Sequence, residues 1–178
     1  MKPTPPPHAS NGCRQENEGR KPMELHEFSS RVRALEKKLY KTAVCILKND
    51  ADAADCVQEA LLHAWRSLTK LKNEAHFDTW LTRILINECK MLIRSGKSHR
   101  TGELTENIPA PNPENAEIEI ALGALEEKYR LPIVLYHVNG YSLDETALIL
   151  KRPTGTVKSQ LSRGRKKLKA LLESEVEQ

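Results

Sequence analysis

The stretch YSLDETALILKRPTGTVKSQLSRGRKKL, Tyr141 to Leu168, decides how this chain folds. Ser142-Leu143-Asp144-Glu145 has the form of a capping box. The Ser hydroxyl accepts a free backbone N–H, and the Glu three residues on reaches back to the Ser N–H. A short helix to Leu150 follows. Lys151-Arg152-Pro153 interrupts it, because Pro lacks an N–H and fixes φ. Thr154 is placed to cap a last helix that extends to about Glu173. Two helices joined by a tight turn, the first of them short, form a helix-turn-helix pattern. The second helix can be phased. Val157, Leu161, Gly164, Leu168 and Leu172 recur at steps of three and four, which places them on one side. That side is predicted to pack on Leu143, Ala147 and Leu150. The opposite side presents Lys158, Ser159, Ser162, Arg163 and Lys166.

Charge points the same way. From Thr146 to Leu172 there is no Asp or Glu, while Lys151, Arg152, Lys158, Arg163, Arg165, Lys166, Lys167 and Lys169 all fall there. A basic block in a chain of net charge +4 reads as a footprint for a polyanion. The competing reading is a solvated helix face. In DNA-binding units of this kind the N-terminal part of the second helix reads bases in the major groove. Arg163 suits a bidentate contact to a guanine edge, and Lys158 suits phosphate or guanine. Thr154 and Thr156 sit at the helix start, where free N–H groups favour a phosphate. Arg165, Lys167 and Lys169 would add contacts to the sugar-phosphate backbone. By itself, the unit implies duplex DNA binding and nothing narrower.

Upstream, a helix is expected from Ala116 to Glu127. Pro132 is placed at the first turn of another, Ile133 to Asn139, with Gly140 ending it in a left-handed cap. Before these lies TGELTENIPAPNPENA, Thr101 to Ala116, with the Pro-rich polar composition of a linker. Three further helices precede it. The first spans about Glu24 to Lys48, with Phe28, Val32, Leu35, Leu39, Ala43 and Ile46 on one stripe. Asn49 or Asp50 caps the second, which carries Val57, Leu61, Trp65 and Leu68 and ends near Leu71. Lys72 to His76 reads as a loop. The third begins near Phe77 or Asp78, carries Phe77, Trp80, Leu81, Ile84, Met91 and Leu92, and stops near Gly96. Residues 1–22 are Pro-rich and polar without an apolar period, the composition of a disordered extension. The fold class is therefore all-α: two small helical modules joined by a flexible linker, the second a helix-turn-helix.

Composition sets outer limits. The chain has 178 residues, of which 29% are charged and only 4% aromatic. That supply suits small bundles filled with Leu, Ile, Val and Ala. No pair among Cys13, Cys45, Cys56 and Cys89 has the short spacing of zinc or redox motifs. The last three lie in apolar helical stretches and read as reduced, buried thiols of a cytosolic protein. A disulfide or redox switch among them is the alternative. No apolar run approaches the ~18 residues of a membrane span, and the N-terminus has no signal-peptide core. The expected location is the cytoplasm.

Three segments, in order, carry a family resemblance. DAADCVQEALLHAW, Asp52 to Trp65, looks like the core-polymerase-binding segment of bacterial sigma factors. FDTWLTRILINECKMLIR, Phe77 to Arg94, resembles the following segment, which opens the minus-ten promoter element. Tyr141 to Leu168 is similar to the helix-turn-helix that reads the minus-35 element. The order, the linker and the two-module plan match the extracytoplasmic-function (ECF, group IV) sigma factors of the sigma-70 superfamily. The resemblance covers about Glu24 to Leu172. It implies a disordered extension at 1–22, sigma region 2 at 23–100, a linker at 101–113 and sigma region 4 at 114–178.

The resemblance also implies roles. Asp55, Gln58, Glu59 and Leu62, on one helix face, would dock on the clamp helices of the polymerase large subunit. Arg83, Asn87, Lys90 and Arg94 would form a polar-basic track for minus-ten DNA, with Asn87 able to recognise base edges. The loop Lys70 to His76 would receive a base flipped from that element. Trp80 reads as core, with base stacking as the alternative. Thr154, Thr156, Lys158, Ser159, Ser162, Arg163, Arg165 and Lys166 would contact the minus-35 duplex. The implied partners are core RNA polymerase, promoter DNA and an anti-sigma factor, with no cofactor and no metal. Gln160, Ser162 and Gly164 depart from residues common at those places in the family. This bears on the promoter sequence preferred, not on docking.

Two other functions compete with this one. A stand-alone helix-turn-helix regulator would bind a two-fold operator without polymerase. An enzyme is disfavoured: His8, His26, His63, His76, His99 and His137 form no metal-binding spacing. There is also no Gly-rich phosphate loop and no nucleophile elbow.

Overall fold

In the computed structural model, residues 23–98 and 116–176 are described. The expectations for residues 1–22, the linker 101–113 and Cys13 lie outside the described residues. Helix α1, Leu25–Leu47, buries Phe28, Leu35, Leu39, Ala43 and Ile46 of the predicted stripe, and Val32 is half-buried. Lys48 ends it with a left-handed φ of 55°. Asn49 starts α2, Asp50–Arg66, its side chain accepting from the Asp52 N–H at 2.9 Å. A single turn at Leu68–Lys70 and another at Glu74–His76 lead to α3, Phe77–Arg94. These three helices pack mutually into one bundle.

Three expectations for this bundle need correction. Helix α2 stops at Arg66, five residues early, where Ser67 leaves the helical region at φ −103° and ψ 10° and the chain tightens into the turn at Leu68–Lys70. Its buried stripe is Ala53, Cys56, Ala60 and Ala64, not Val57, Leu61 and Trp65. The large leucines of α1 and α3 fill the core, so α2 offers small side chains there and approaches closely. Trp65 lies at the edge, 40% exposed, its ring edge-on to Phe28 at 5.1 Å. Met91 is likewise outside, 56% exposed, while Leu85, Ile86 and Cys89 take the core side of α3.

The second module contains α4, Ala116–Ala124, and α5, Glu127–Ile133, then α6, Leu143–Leu150, and α7, Thr154–Val176. A break at Leu125 and Glu126 divides the predicted Ala116–Glu127 helix. Pro132 lies inside α5, not at the start of a new helix. Having no N–H, it cannot bond the carbonyl four residues back. The chain runs on as a π-helical turn, Val134–Val138, with the Asn139 N–H on the Val134 carbonyl at 2.8 Å. Gly140 ends this segment as expected, at φ 73°, and the Tyr141 N–H returns to the Leu135 carbonyl at 3.0 Å.

Val157 and Leu161 are buried with Ala147, Ile133 and Leu125, and Leu143, Leu150 and Leu168 pack at the margin. Gly164 is buried where α7 crosses α5. A Cβ there would lie 2.8 Å from Ile133 Cδ1 and 3.3 Å from Tyr129 Cβ. The close crossing explains a glycine inside a helix despite its propensity cost. A branched side chain would push α7 off α5. Gly164→Leu is expected to lower unfolding free energy by about 1–3 kcal/mol, read by urea denaturation.

The modules touch. Leu131, Leu135, Tyr141 and Ile149 join the buried cluster of the first bundle. Polar contacts accompany them. The Arg130 guanidinium, 4% exposed, donates to the Cys45 carbonyl at 3.0 Å, the Gly123 carbonyl at 3.0 Å and the Leu125 carbonyl at 2.7 Å. Asn139 Nδ2 donates to Thr42 Oγ1 at 2.9 Å and to the Lys38 carbonyl at 3.2 Å. The Thr82 and Tyr141 hydroxyls share a hydrogen bond of 2.7 Å. Burial pushes the Tyr141 phenol up to about 12, with the Thr82 bond opposing it.

Candidate nucleic-acid interface

The turn between α6 and α7 is fixed by contacts local in sequence. The capping box forms in full: the Glu145 N–H donates to Ser142 Oγ at 3.2 Å, and the Ser142 N–H donates to Glu145 Oε2 at 2.8 Å. The Ser142 N–H, donating to it, chiefly holds the Glu145 carboxyl below the usual carboxylate range. Lys151 takes a left-handed φ of 53°. Arg152 Nη1 donates to Gln160 Oε1 at 2.9 Å, tying the turn to the second helix. Gln160 thus has a structural partner. Thr154 does not cap α7. It is the first helical residue, and its hydroxyl donates weakly to Asp144 Oδ1 at 3.4 Å. The Pro153 carbonyl instead accepts from the Thr156 and Val157 N–H groups.

With α7 seated by Val157, Leu161 and Gly164, its far side is set. Thr154, Thr156, Lys158, Ser159, Ser162, Arg163, Arg165 and Lys166 are all exposed, so the predicted phase of the helix is the observed one. The Ser159 hydroxyl turns back to the Thr156 carbonyl at 2.8 Å, which occupies its donor. Two lysines expected to add backbone contacts have acidic neighbours instead. Lys167 pairs with Glu126 at 3.0 Å, and Lys169 with Glu173 at 3.5 Å. Both pairs are exposed, so DNA phosphate can compete for the lysines at small cost.

On α3, Asn87 and Arg94 are exposed, while Arg83 and Lys90 are half-buried along the same side. Thr82, the residue before Arg83, is covered by Tyr141 of the second module. Trp80 is half-buried, its ring tilted against Phe77 at 6.1 Å, in accord with a core role. The loop before α3 is anchored by a residue the sequence did not single out. Arg31 donates to the Glu74 carbonyl at 2.8 Å, pairs with Glu27 at 2.8 Å and Glu74 at 3.5 Å, and lies 5.6 Å from the Phe77 ring centre. Asn73 Oδ1 accepts from the Ala75 N–H at 3.0 Å. The loop therefore has a set shape, with Lys72, Asn73, Ala75 and His76 exposed on it.

On α2, Asp55, Gln58, Glu59 and Leu62 are all exposed, and Leu62 is 49% so. They form a mixed acidic, polar and apolar strip on the side away from the alanine stripe. Exposed large hydrophobics of this sort often mark a docking surface, and Trp65 widens it. Among the described residues, no group of three or more His, Cys, Asp or Glu side chains could hold a metal. No described helix is long and apolar enough to cross a membrane.

Comparison with known proteins agrees with this geometry. Residues 31–99 match the family described as Sigma-70 region 2, and residues 116–168 match Sigma-70, region 4. ECF RNA polymerase sigma factor SigM of Mycobacterium tuberculosis is 31% identical over 153 residues, covering 83% of this chain and 78% of the relative. ECF RNA polymerase sigma-E factor of Escherichia coli is 32% identical over 134 residues, covering 64% and 70%. Among solved structures, CnrH in complex with the cytosolic domain of CnrY superposes with a TM-score of 0.69 at 28% identity, over 85% of this chain and 90% of that one. The sigma factor RpoE of Bartonella quintana, crystallised with the anti-sigma factor NepR, shares the fold at a TM-score of 0.70 and 23% identity, over 84% and 98%. Two regions matched in order, on a two-module helical chain, place this protein in the family of ECF RNA polymerase sigma factors.

Proposed function

We propose that this chain works as the promoter-specificity subunit of bacterial RNA polymerase. The first module, 23–100, binds core polymerase through Asp55, Gln58, Glu59 and Leu62. Its α3 track of Arg83, Asn87, Lys90 and Arg94 engages the opened minus-ten strand. The second module, 114–178, lays α7 into the minus-35 major groove. Arg163 and Lys158 read base edges, while Thr154, Thr156, Ser162, Arg165 and Lys166 position the duplex. The task is recognition and placement in the cytoplasm, without bond-making by the chain's own side chains. The observation that carries the reading is the joint presence of two exposed faces of different chemistry. An acidic-polar strip lies on α2, and a basic strip lies on α7 with no carboxylate between Thr146 and Leu172. A stand-alone regulator has no use for the first. One solved relative is crystallised with the anti-sigma factor NepR and the other with the cytosolic domain of CnrY, and we assign this chain an anti-sigma partner.

Two substitutions test the two faces. Asp55→Ala and Gln58→Ala are each expected to weaken core-polymerase binding by about 1–2 kcal/mol and to leave the melting temperature unchanged, since both side chains are exposed. Titration of labelled protein with core enzyme measures it, and unaltered affinity in both would move the docking surface elsewhere. Arg163→Ala is expected to relax discrimination at a minus-35 position by about 1–3 kcal/mol. Equal loss on every promoter sequence would instead make Arg163 a phosphate contact.

A further inference from the structure

Two thiols of the first module lie together across the α2–α3 contact. Cys56 and Cys89 are hydrogen-bonded, Sγ to Sγ, at 3.3 Å. Both are free, and both are buried. The small residues of α2 bring them there: Ala53, Cys56, Ala60 and Ala64 form the face on which α3 packs. The promoter and polymerase faces use neither sulfur. We infer that Cys56 and Cys89 form a modification site, a dithiol that a peroxide-class oxidant converts into a disulfide clipping α2 to α3.

The two sulfurs are unequal. Cys56 is 5% exposed and Cys89 is 0% exposed, so the oxidant reaches Cys56 first. The hydrogen bond shared with Cys89 holds the Cys56 thiol below its ordinary range, against burial and the neighbouring Glu88, Asp52 and Glu59 carboxylates. The same bond and burial push the Cys89 thiol up. The thiolate is the nucleophile in such chemistry. The Cys56 thiolate attacks one peroxide oxygen, the O–O bond breaks, and the other oxygen leaves as hydroxide, which takes up the proton given up by the Cys56 thiol and becomes water. Cys56 is then a sulfenic acid. The Cys89 sulfur attacks the Cys56 sulfur, the S–O bond breaks, and the hydroxide takes the Cys89 proton to leave as a second water. Two thiols lose two electrons, and one peroxide gains them.

The sulfurs must close from 3.3 Å to the disulfide length of about 2.05 Å. Asp55 and Gln58 flank Cys56, and Asn87 and Lys90 flank Cys89. The bond therefore pulls on the helices that carry both proposed faces of this module. Cys45, the remaining described thiol, is pushed up to about 11, chiefly by burial, and stays protonated.

The oxidation rests on the thiol geometry alone, whereas any change in promoter output rests on the proposed function, and the assay reads the first directly. Purified full-length Cys13→Ser protein is treated with hydrogen peroxide, alkylated, digested and mapped by mass spectrometry. The expected product is a Cys56–Cys89 cross-linked peptide, lighter by two hydrogens and reversed by dithiothreitol, with Cys45 still alkylated. In Cys89→Ala protein, Cys56 should stop at a sulfenic acid trapped by dimedone. If that variant does not fold, the peptide map of the Cys13→Ser protein decides. Cys56 and Cys89 both recovered alkylated after treatment, or Cys56 joined to Cys45, would overturn the proposal.

Discussion

Replacing Arg130 by Ala is expected to lower the stability of the chain by about 3–5 kcal/mol. The guanidinium is 4% exposed and makes three hydrogen bonds, all to main-chain carbonyls. Those carbonyls come from two places. Cys45 lies near the end of α1, and Gly123 and Leu125 lie at the end of α4. Carbonyls at a helix C-terminus lack intrahelical partners and carry the negative end of the helix dipole, so a buried cation is suited to them. Ala removes the cation and leaves buried acceptors, each costing about 1–3 kcal/mol when unpaired. Lys48 Nζ also reaches the Gly123 carbonyl, at 3.0 Å, and offsets part of the loss there. Arg130→Lys should recover less than half, because an ammonium cannot present the planar fork that reaches three acceptors. Urea unfolding of the three proteins checks this. A loss under about 1 kcal/mol for Ala would mean that the pocket fills with water at little cost.

Promoter engagement is expected to part the two modules by tens of ångströms. In the structure they are in contact, with Thr82 and Tyr141 at 2.7 Å and Asn139 donating into α1. The promoter elements named minus-35 and minus-ten are about 25 base pairs apart, which at ~3.4 Å per pair is on the order of 80 Å along the duplex. No contact between α6 and α3 survives that span if each module sits on its own element. The interface is partly polar, as separable contacts between domains are. Dyes at Lys41 and Leu148, both exposed, should transfer energy efficiently in the free chain. Transfer should collapse in the complex with core polymerase and promoter DNA. Unchanged transfer would show that the modules bind as one body and that at most one element is read.

What was legible in the sequence follows the range of the interactions. The capping box at Ser142 and Glu145, the Gly140 stop and the phase of α7 were all readable. Each depends on residues within a turn or two of one another, and backbone geometry dictates the spacing. Exposure of the strip on α7 followed from the same periodicity, whereas the strip on α2 rested on the family resemblance. The core face of α2 was not readable in this way. Val57, Leu61 and Trp65 are the larger hydrophobes, yet Ala53, Cys56, Ala60 and Ala64 are buried, because the space left by α1 and α3 selects for volume. Pro132 was misplaced, since a proline near a helix end fits either side of a break. Arg130 was missed entirely, because the Cys45 carbonyl it holds is 85 positions away in the chain. A cation embedded in the apolar run Tyr129 to Ile133 was the only signal. Arg31, which ties α1 to the loop at Glu74, was hidden for the same reason. The thiol pair likewise joins positions 33 apart that share no motif.

The central claim is that this chain directs polymerase to promoters. The most direct test is to mix the purified protein with bacterial core RNA polymerase and transcribe a library of randomised promoters. Stable capture of core enzyme is expected, with transcripts that start downstream of one shared two-part motif. Failure to bind core, with tight capture of duplex DNA by the protein alone, would contradict it.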